Sequence, residues 1–172
     1  MRLILIALAA ALAAAPVIAQ QTAAPDCVAL DAKLPAGLAD WNGKAMLASA
    51  TRLADIGKAA MTQGKGYEAV LLQTPKISYP VQPEKPGGSV SHGGLFEFTV
   101  ETAGAYTIAL GTAAWIDVIE NGKAVTPTTF SHGPECTSIR KLVVFALKPG
   151  KHALQVSANA DPTLKMMVAK TF

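Results

Sequence analysis

The stretch "LFEFTVETAGAYTIAL", residues 95–110, alternates apolar and polar residues on both sides of a glycine-containing turn. In its first half, Phe96 and Phe98 fall on one face of an extended chain, and Glu97 and Thr99 fall on the other. The second half repeats the alternation after the turn. This pattern predicts two antiparallel strands, each with one face in a hydrophobic core.

Similar short segments recur along the rest of the chain at intervals of about ten residues. The dipeptide Asn121-Gly122 is favoured in two-residue hairpin turns because both positions take positive φ. Further strands are predicted at "YEAVLLQ" (67–73), "WIDVIE" (115–120), "RKLVVFAL" (140–147), "HALQVSA" (152–158) and "TLKMMVAK" (163–170). The predicted fold class is mainly β, an antiparallel β-sandwich or jelly roll.

Residues 1–19 have the features of a secretory signal peptide. Arg2 precedes an apolar run over 3–15, and the small residues Val17 and Ala19 stand where signal peptidase requires them. The run is shorter than the roughly 20 residues that a membrane span needs. We therefore expect cleavage, a periplasmic or secreted location, and no transmembrane span in the mature chain.

The remaining chain divides into a lead-in segment of uncertain structure, 20–66, and a β-sandwich domain, 67–172. Within the lead-in, residues 37–62 fit a short helix because of their alanine content, and fit short strands because glycines interrupt them. The 15 basic residues only slightly outnumber the 12 acidic ones, and the lysines are spread singly. This distribution argues against a nucleic-acid partner.

Cys27 and Cys136 are the only cysteines. An even cysteine count in an exported protein predicts a disulfide. Cys136 lies in "HGPECTSIRK", residues 132–141, where His132 and Cys136 have a spacing that also occurs at metal sites. A bonded Cys136 cannot serve as a thiolate ligand. The segment is therefore interpreted as a turn stapled by the disulfide.

A non-catalytic ligand surface is the leading functional hypothesis, with no cofactor. Trp115 and Asp117 share a strand face beside the predicted hairpin, which suits a stacking side chain with a hydrogen-bonding neighbour, although Trp115 also fits a core position. His132 and Arg140 in the stapled turn would supply further contacts. The expected partner is a glycan or an envelope protein.

The alternative hypothesis is an iron-dependent dioxygenase that uses His92, Glu97 and His152. Two histidines and a carboxylate form the ligand set of such enzymes. The pattern departs from the cupin motifs, since the residue two before His92 is Val90, and since Pro149-Gly150-x-His152 stands where the second motif has P-x-G-x-x-H. In addition, the alternation predicts that Glu97 faces solvent and that His152 faces the core, so the two would not converge on one metal ion.

Several longer motifs extend these patterns: "PVQPEKPGGSVSHGG" (80–94), "AWIDV" (114–118) and "HGPECTSIRK". In them the chain resembles a group of short exported bacterial β-sandwich proteins, some of which are labelled homogentisate 1,2-dioxygenases. It also resembles small jelly-roll accessory domains of secreted enzymes. The resemblance covers roughly the last hundred residues, and it implies an exported jelly roll and, through the label, an iron-dependent ring-cleaving activity.

Overall fold

The computed structural model describes Cys27 and residues 29–171, so the predicted signal peptide lies outside the described residues. Nearly half of this range forms β-strands. In chain order they are β1 (Ala45–Ala48), β2 (Ala60–Met61), β3 (Gly66–Val70), β4 (Leu72–Gln73), β5 (His92–Val100), β6 (Gly104–Leu110), β7 (Trp115–Glu120), β8 (Lys123–Ala124), β9 (Thr129–Ser131), β10 (Lys141–Leu147), β11 (Gly150–Asn159) and β12 (Thr163–Lys170).

The strands form two sheets with the order β1-β3-β12-β6-β10-β9 and β2-β5-β11-β7-β8, and β4 also pairs with β5. Successive long strands alternate between the sheets, so that β3-β12-β6-β10 lies opposite β5-β11-β7-β8. This alternation is the jelly-roll arrangement. The pairing is antiparallel apart from the parallel pairs β1·β3 and β2·β5 at the sheet edges. The predicted fold class is confirmed.

The lead-in contributes strands to both sheets, since β1 and β2 come from residues 37–62. The same segment contains two 3₁₀ turns, Ala36–Asn42 and Leu53–Ala59. Gly43 follows the first turn and Gly57 lies within the second, and glycine is a poor helix former. The segment therefore combines short helical turns with short strands. In the described part of the chain, no helix has the length and apolar character needed to cross a membrane.

The predicted hairpin turn is confirmed. Asn121 and Gly122 have φ values of 51° and 73°, and Glu120 pairs with Lys123 across the turn. Positive φ at both central residues matches the right-handed twist of the flanking strands. The turn thereby directs β8 back along β7 at the edge of the second sheet.

The main core lies between the two sheets. The inward face predicted for residues 95–110 is buried, with Phe96 and Phe98 at 0% and 1% exposure. Tyr106 from β6 and Phe145 from β10 meet them in the same apolar cluster. Burying a side chain of this size contributes about 1.5–3 kcal/mol, so this cluster is the main source of stability.

A second apolar cluster covers the outer face of the first sheet, which the strand pattern alone does not predict. Leu38 and Trp41, from the turn Ala36–Asn42, are fully buried against Ala109 and Met167 of β6 and β12. The lead-in is consequently part of the folded unit and packs directly on a sheet face.

The proline-rich loop over residues 77–91 packs across the outer face of the second sheet. Tyr79 donates its hydroxyl hydrogen to Val156 O at 3.0 Å, and Ser157 Oγ donates to Lys85 O at 2.8 Å. These contacts order the loop despite its lack of regular structure. They also hold Lys85 beside β7.

Alkaline pH is expected to weaken this loop through Tyr79. Burial raises the pKa of the Tyr79 hydroxyl above 10.0, with an opposing contribution from Thr74. The neutral phenol therefore stabilises the fold below about pH 10, and this contribution is lost as pH rises through the raised pKa. Tyr79→Phe should cost about 1 kcal/mol at neutral pH through loss of the hydrogen bond.

Urea denaturation of the wild type and of Tyr79→Phe, from neutral to alkaline pH, measures both effects. The difference in unfolding free energy between the two proteins should shrink as Tyr79 ionises. A difference that stays constant over the whole range would show that Tyr79 does not contribute this pH dependence. Tyrosinate absorbance of the two proteins identifies the ionisation of Tyr79 itself.

Candidate ligand-binding groove

The predicted disulfide joins Cys27 and Cys136, whose Cα atoms are 5.3 Å apart. Asp31 lies beside it and binds the stapled turn in three places. Its backbone N–H donates to Cys136 O at 2.9 Å, and its carboxylate accepts hydrogen bonds from Ser138 N and Ser138 Oγ, both at 2.6 Å. Disulfide and carboxylate together hold the beginning of the described chain against this turn.

The same network reaches the second apolar cluster. Trp41 Nε1 donates to Ser138 Oγ at 2.8 Å. The ammonium of Lys165 lies 3.8 Å from the Asp31 carboxylate and 4.9 Å from the centre of the Trp41 ring. The stapled turn is therefore a structural element, as its sequence suggests, while His132 and Arg140 within it remain exposed.

A surface groove opens next to this turn, between β7 of the second sheet and β9 and β10 of the first. We call it the edge groove. Its larger chamber, about 470 Å³, is lined by Glu84, Lys85, Ala113, Trp115, Ile116, Asp117, Val125, Pro127, Phe130, Lys141, Phe145 and Ala158. Its smaller chamber, about 330 Å³, is lined by Ala113, Phe130, Ser131, His132, Arg140 and Lys141.

All four residues predicted from the sequence to contact a ligand line this groove. Trp115 and Asp117 belong to the larger chamber, and His132 and Arg140 belong to the smaller one. The chambers adjoin because Ala113, Phe130 and Lys141 line both of them. The jelly-roll topology places residues from separate strands along one cavity.

Phe130 is one of the lining residues that sequence reasoning missed, and Lys141 is another. Phe130 lies on β9, a three-residue edge strand, and its side chain is 76% exposed. Together with Val125 and Pro127 it gives the larger chamber an apolar surface open to solvent. The sequence feature that could have identified Phe130 is its position: it follows the polar run "TPTT" (126–129) and comes two residues before His132.

Asp117 is held in place by two donors. Trp115 Nε1 donates to Asp117 Oδ1 at 3.0 Å, and Gln155 Nε2 donates to Asp117 Oδ2 at 2.7 Å. Gln155 is itself buried on β11, at 1% exposure. Both carboxylate oxygens thus accept hydrogen bonds inside the protein, and the bond from Trp115 fixes the orientation of the indole ring.

Two lysines lie over that ring. The ammonium nitrogens of Lys85 and Lys141 are 5.1 and 5.4 Å from the centre of the Trp115 ring, within the range of cation–π attraction. Lys141 Nζ also donates to Ala114 O at 3.0 Å. Burial lowers the pKa of Lys141, the nearby Lys85 adds to this effect, and Asp117 opposes it. The wall between the chambers is therefore cationic.

The residues of the alternative iron hypothesis do not come together. His92 and His152 occupy distant positions on the β5·β11 ladder, since His92 pairs with Asn159 and His152 pairs with Phe98. Six strand residues separate the two positions, which corresponds to roughly 20 Å. Glu97 binds Lys151 on the outer face at 2.8 Å.

The contacts of the two histidines are also structural. His152 is buried, stacks on Phe98 at 5.5 Å and places Nε2 2.9 Å from Lys148 O. His92 Nδ1 lies 3.1 Å from Ala160 O. Over Cys27 and residues 29–171, no three or more His, Cys, Asp or Glu side chains are grouped as a metal site requires.

No protein-family model matches this chain, and no curated protein matches it either. On its fold and groove, the protein is a disulfide-stapled jelly roll with an aromatic and cationic cavity at the open edge of its two sheets.

Proposed function

We propose that the protein is an exported, non-catalytic binding protein of the cell envelope, and that the edge groove is its ligand site. The observation that carries the proposal is the meeting of Trp115, Phe130 and Lys141 in one open cavity. The proposed ligand is a glycan, another envelope component or an envelope protein.

Export is supported by the signal-peptide pattern of residues 1–19 and by the disulfide. Disulfides persist in oxidising compartments such as the periplasm and are rare in the cytosol. The resemblance to short exported bacterial proteins points in the same direction. These features support a periplasmic or secreted location.

A binding role is supported by the dimensions and composition of the groove. Chambers of about 470 and 330 Å³ fall in the range of small-molecule sites, roughly 300–1,000 Å³. The groove combines apolar walls with a few convergent polar groups, which is the usual composition of such sites. Aromatic residues such as Phe130 and Trp115 frequently contribute most of the binding free energy.

The test compares binding by the wild type, Phe130→Ala and Val90→Ala. Val90 is a matched control because it is 80% exposed and does not line the groove. Each protein is screened on a glycan array and against fractionated envelope extract, and bound compounds are identified by native mass spectrometry. Loss of an aromatic anchor should weaken binding by about 2 kcal/mol, roughly 30-fold, while Val90→Ala binds like the wild type.

Two results would contradict the proposal. One is a ligand that binds all three proteins equally, which would place its site elsewhere. The other is the absence of any ligand from both screens with correctly folded, oxidised protein.

A further inference from the structure

We infer that the edge groove selects a small organic acid, with its apolar body against Phe130 and Pro127 and its carboxylate at Lys141. This inference rests on the proposed function, because it names the ligand class of the same groove. It rests on three features of the groove: its unpaired cations, the position of one of these cations, and the apolar character of the walls beside it.

The first feature is an excess of cations without ionic partners. Lys85, Arg140 and Lys141 line the groove, and within the described chain none of them has a carboxylate oxygen within 4.0 Å. The lining acids are Glu84 and Asp117, so three cations line the groove against two carboxylates. The groove is therefore complementary to an anion.

In a depression elsewhere on the surface, the cations do have ionic partners. It has a volume of about 410 Å³ and contains Arg52, Asp55 and Lys58. There Asp55 forms ion pairs with both basic side chains, at 2.5 and 3.0 Å. Both of its cations thus have a carboxylate partner, whereas within the described chain the three cations of the edge groove have none within 4.0 Å.

The second feature is the position of Lys141 on the wall common to both chambers. Its ammonium has three N–H donors, of which one is directed to Ala114 O. The remaining donors are available to a ligand at the centre of the groove. Burial and the neighbouring Lys85 both disfavour the charged form of this lysine, as its lowered pKa reflects. A bound carboxylate would compensate both effects through a charge-assisted hydrogen bond.

The third feature is the apolar wall adjoining this ammonium. Val125, Pro127, Phe130 and Ile116 line the larger chamber beside Lys141. A ligand with an apolar body would bury this surface, whereas sugar hydroxyls would lose hydration against it. The lysines over the Trp115 ring also occupy the region where a pyranose would stack. An organic acid therefore fits the groove better than a neutral glycan.

The experiment uses three acids, each with its own primary amide: octanoate with octanamide, 4-phenylbutyrate with 4-phenylbutyramide, and 1-naphthylacetate with 1-naphthylacetamide. Each pair has nearly the same shape and differs by one charge. Affinities are measured by calorimetry and ligand-observed NMR at neutral pH and physiological salt. We expect the acids to bind roughly ten-fold or more tightly than their amides.

Variants locate the effect. Lys141→Met should remove the preference, so that each acid and its amide bind with similar affinity, whereas Lys141→Arg should retain most of the preference. Arg140→Gln removes a second cation of the groove. Because Arg140 is exposed, this change should reduce acid binding without affecting the fold. The matched control is Lys76→Met, an exposed lysine outside the groove, which should bind like the wild type.

Equal affinity for acids and amides in the groove would overturn the inference and leave the proposed function intact. The inference would also be overturned if the acids fail to bind at millimolar concentration while a neutral glycan binds in a Phe130-dependent manner. If acids, amides, glycans and envelope extract all fail to bind, both the inference and the proposed function are wrong.

Discussion

Replacing Cys27 by serine is expected to lower the free energy of unfolding by about 2–5 kcal/mol. The disulfide joins residues separated by 109 positions, so its removal releases a very long loop in the unfolded chain. It also frees the beginning of the described chain from the stapled turn. Guanidinium denaturation of the oxidised wild type and of Cys27→Ser measures the difference.

The control is the double variant Cys27→Ser/Cys136→Ser, which should be as stable as Cys27→Ser alone, since either change breaks the same bond. The wild type with its disulfide reduced should lose a similar amount. A loss of less than about 1 kcal/mol in the single variant would show that the bridge has little effect on the stability of this fold.

Asp31→Ala is expected to destabilise the protein by about 2–4 kcal/mol, because it removes charge-assisted hydrogen bonds and leaves donors unpaired. Ser138 would lose both of its bonds to the carboxylate, which measure 2.6 Å each. Lys165 would lose the carboxylate that lies 3.8 Å from its ammonium. Thermal and chemical denaturation measure the loss, and circular dichroism shows whether the sheets remain formed.

Asp161→Ala is the matched control, since that carboxylate is exposed and lies outside the network. It should change the stability by less than about 0.5 kcal/mol. Asp31→Ala combined with Cys27→Ser should destabilise by less than the sum of the two single changes, because both hold the same segment on the same turn. Full additivity would show that the disulfide and the carboxylate act independently.

These two predictions concern the groove as well as the fold. The stapled turn carries His132 and Arg140, which line the smaller chamber, and it leads directly into β10 and Lys141. A turn released from its disulfide would hold these side chains less firmly. Any ligand of the groove should then bind Cys27→Ser more weakly than the wild type.

Much of the fold could be predicted from period-two patterns and turn residues. The alternation around Phe96 and Phe98 identified a buried strand face, and Asn121-Gly122 identified a hairpin, because both signals are local. The disulfide followed from a cysteine count of two. Such features depend on neighbouring residues or on composition, so no knowledge of the tertiary structure was needed.

The lead-in was harder to interpret because tertiary contacts determine its structure. Trp41 is buried by β6 and β12, which lie far along the chain, and β1 and β2 form only beside strands that follow them. A weak signal for the second apolar cluster was present in "KMMVAK", 165–170, where consecutive apolar residues replace strict alternation. Such a run indicates a strand that is buried on both faces.

The candidate site could be predicted in part. Trp115 and Asp117 were linked by their two-residue spacing on a strand, and they do share a hydrogen bond. Phe130 and Lys141 were missed, because their common wall exists only once β9 and β10 are placed beside β7. Proximity across separate strands depends on topology, which periodicity does not reveal.

The most direct test of the groove is an amide chemical-shift map of ¹⁵N-labelled protein titrated with octanoate. If the edge groove is the ligand site, the shifts will cluster in residues 113–117, 125–131 and 140–145, and in Phe130→Ala they will require roughly 30-fold more octanoate. Shifts concentrated around residues 48–59, or shifts that persist unchanged in Phe130→Ala, would contradict the account.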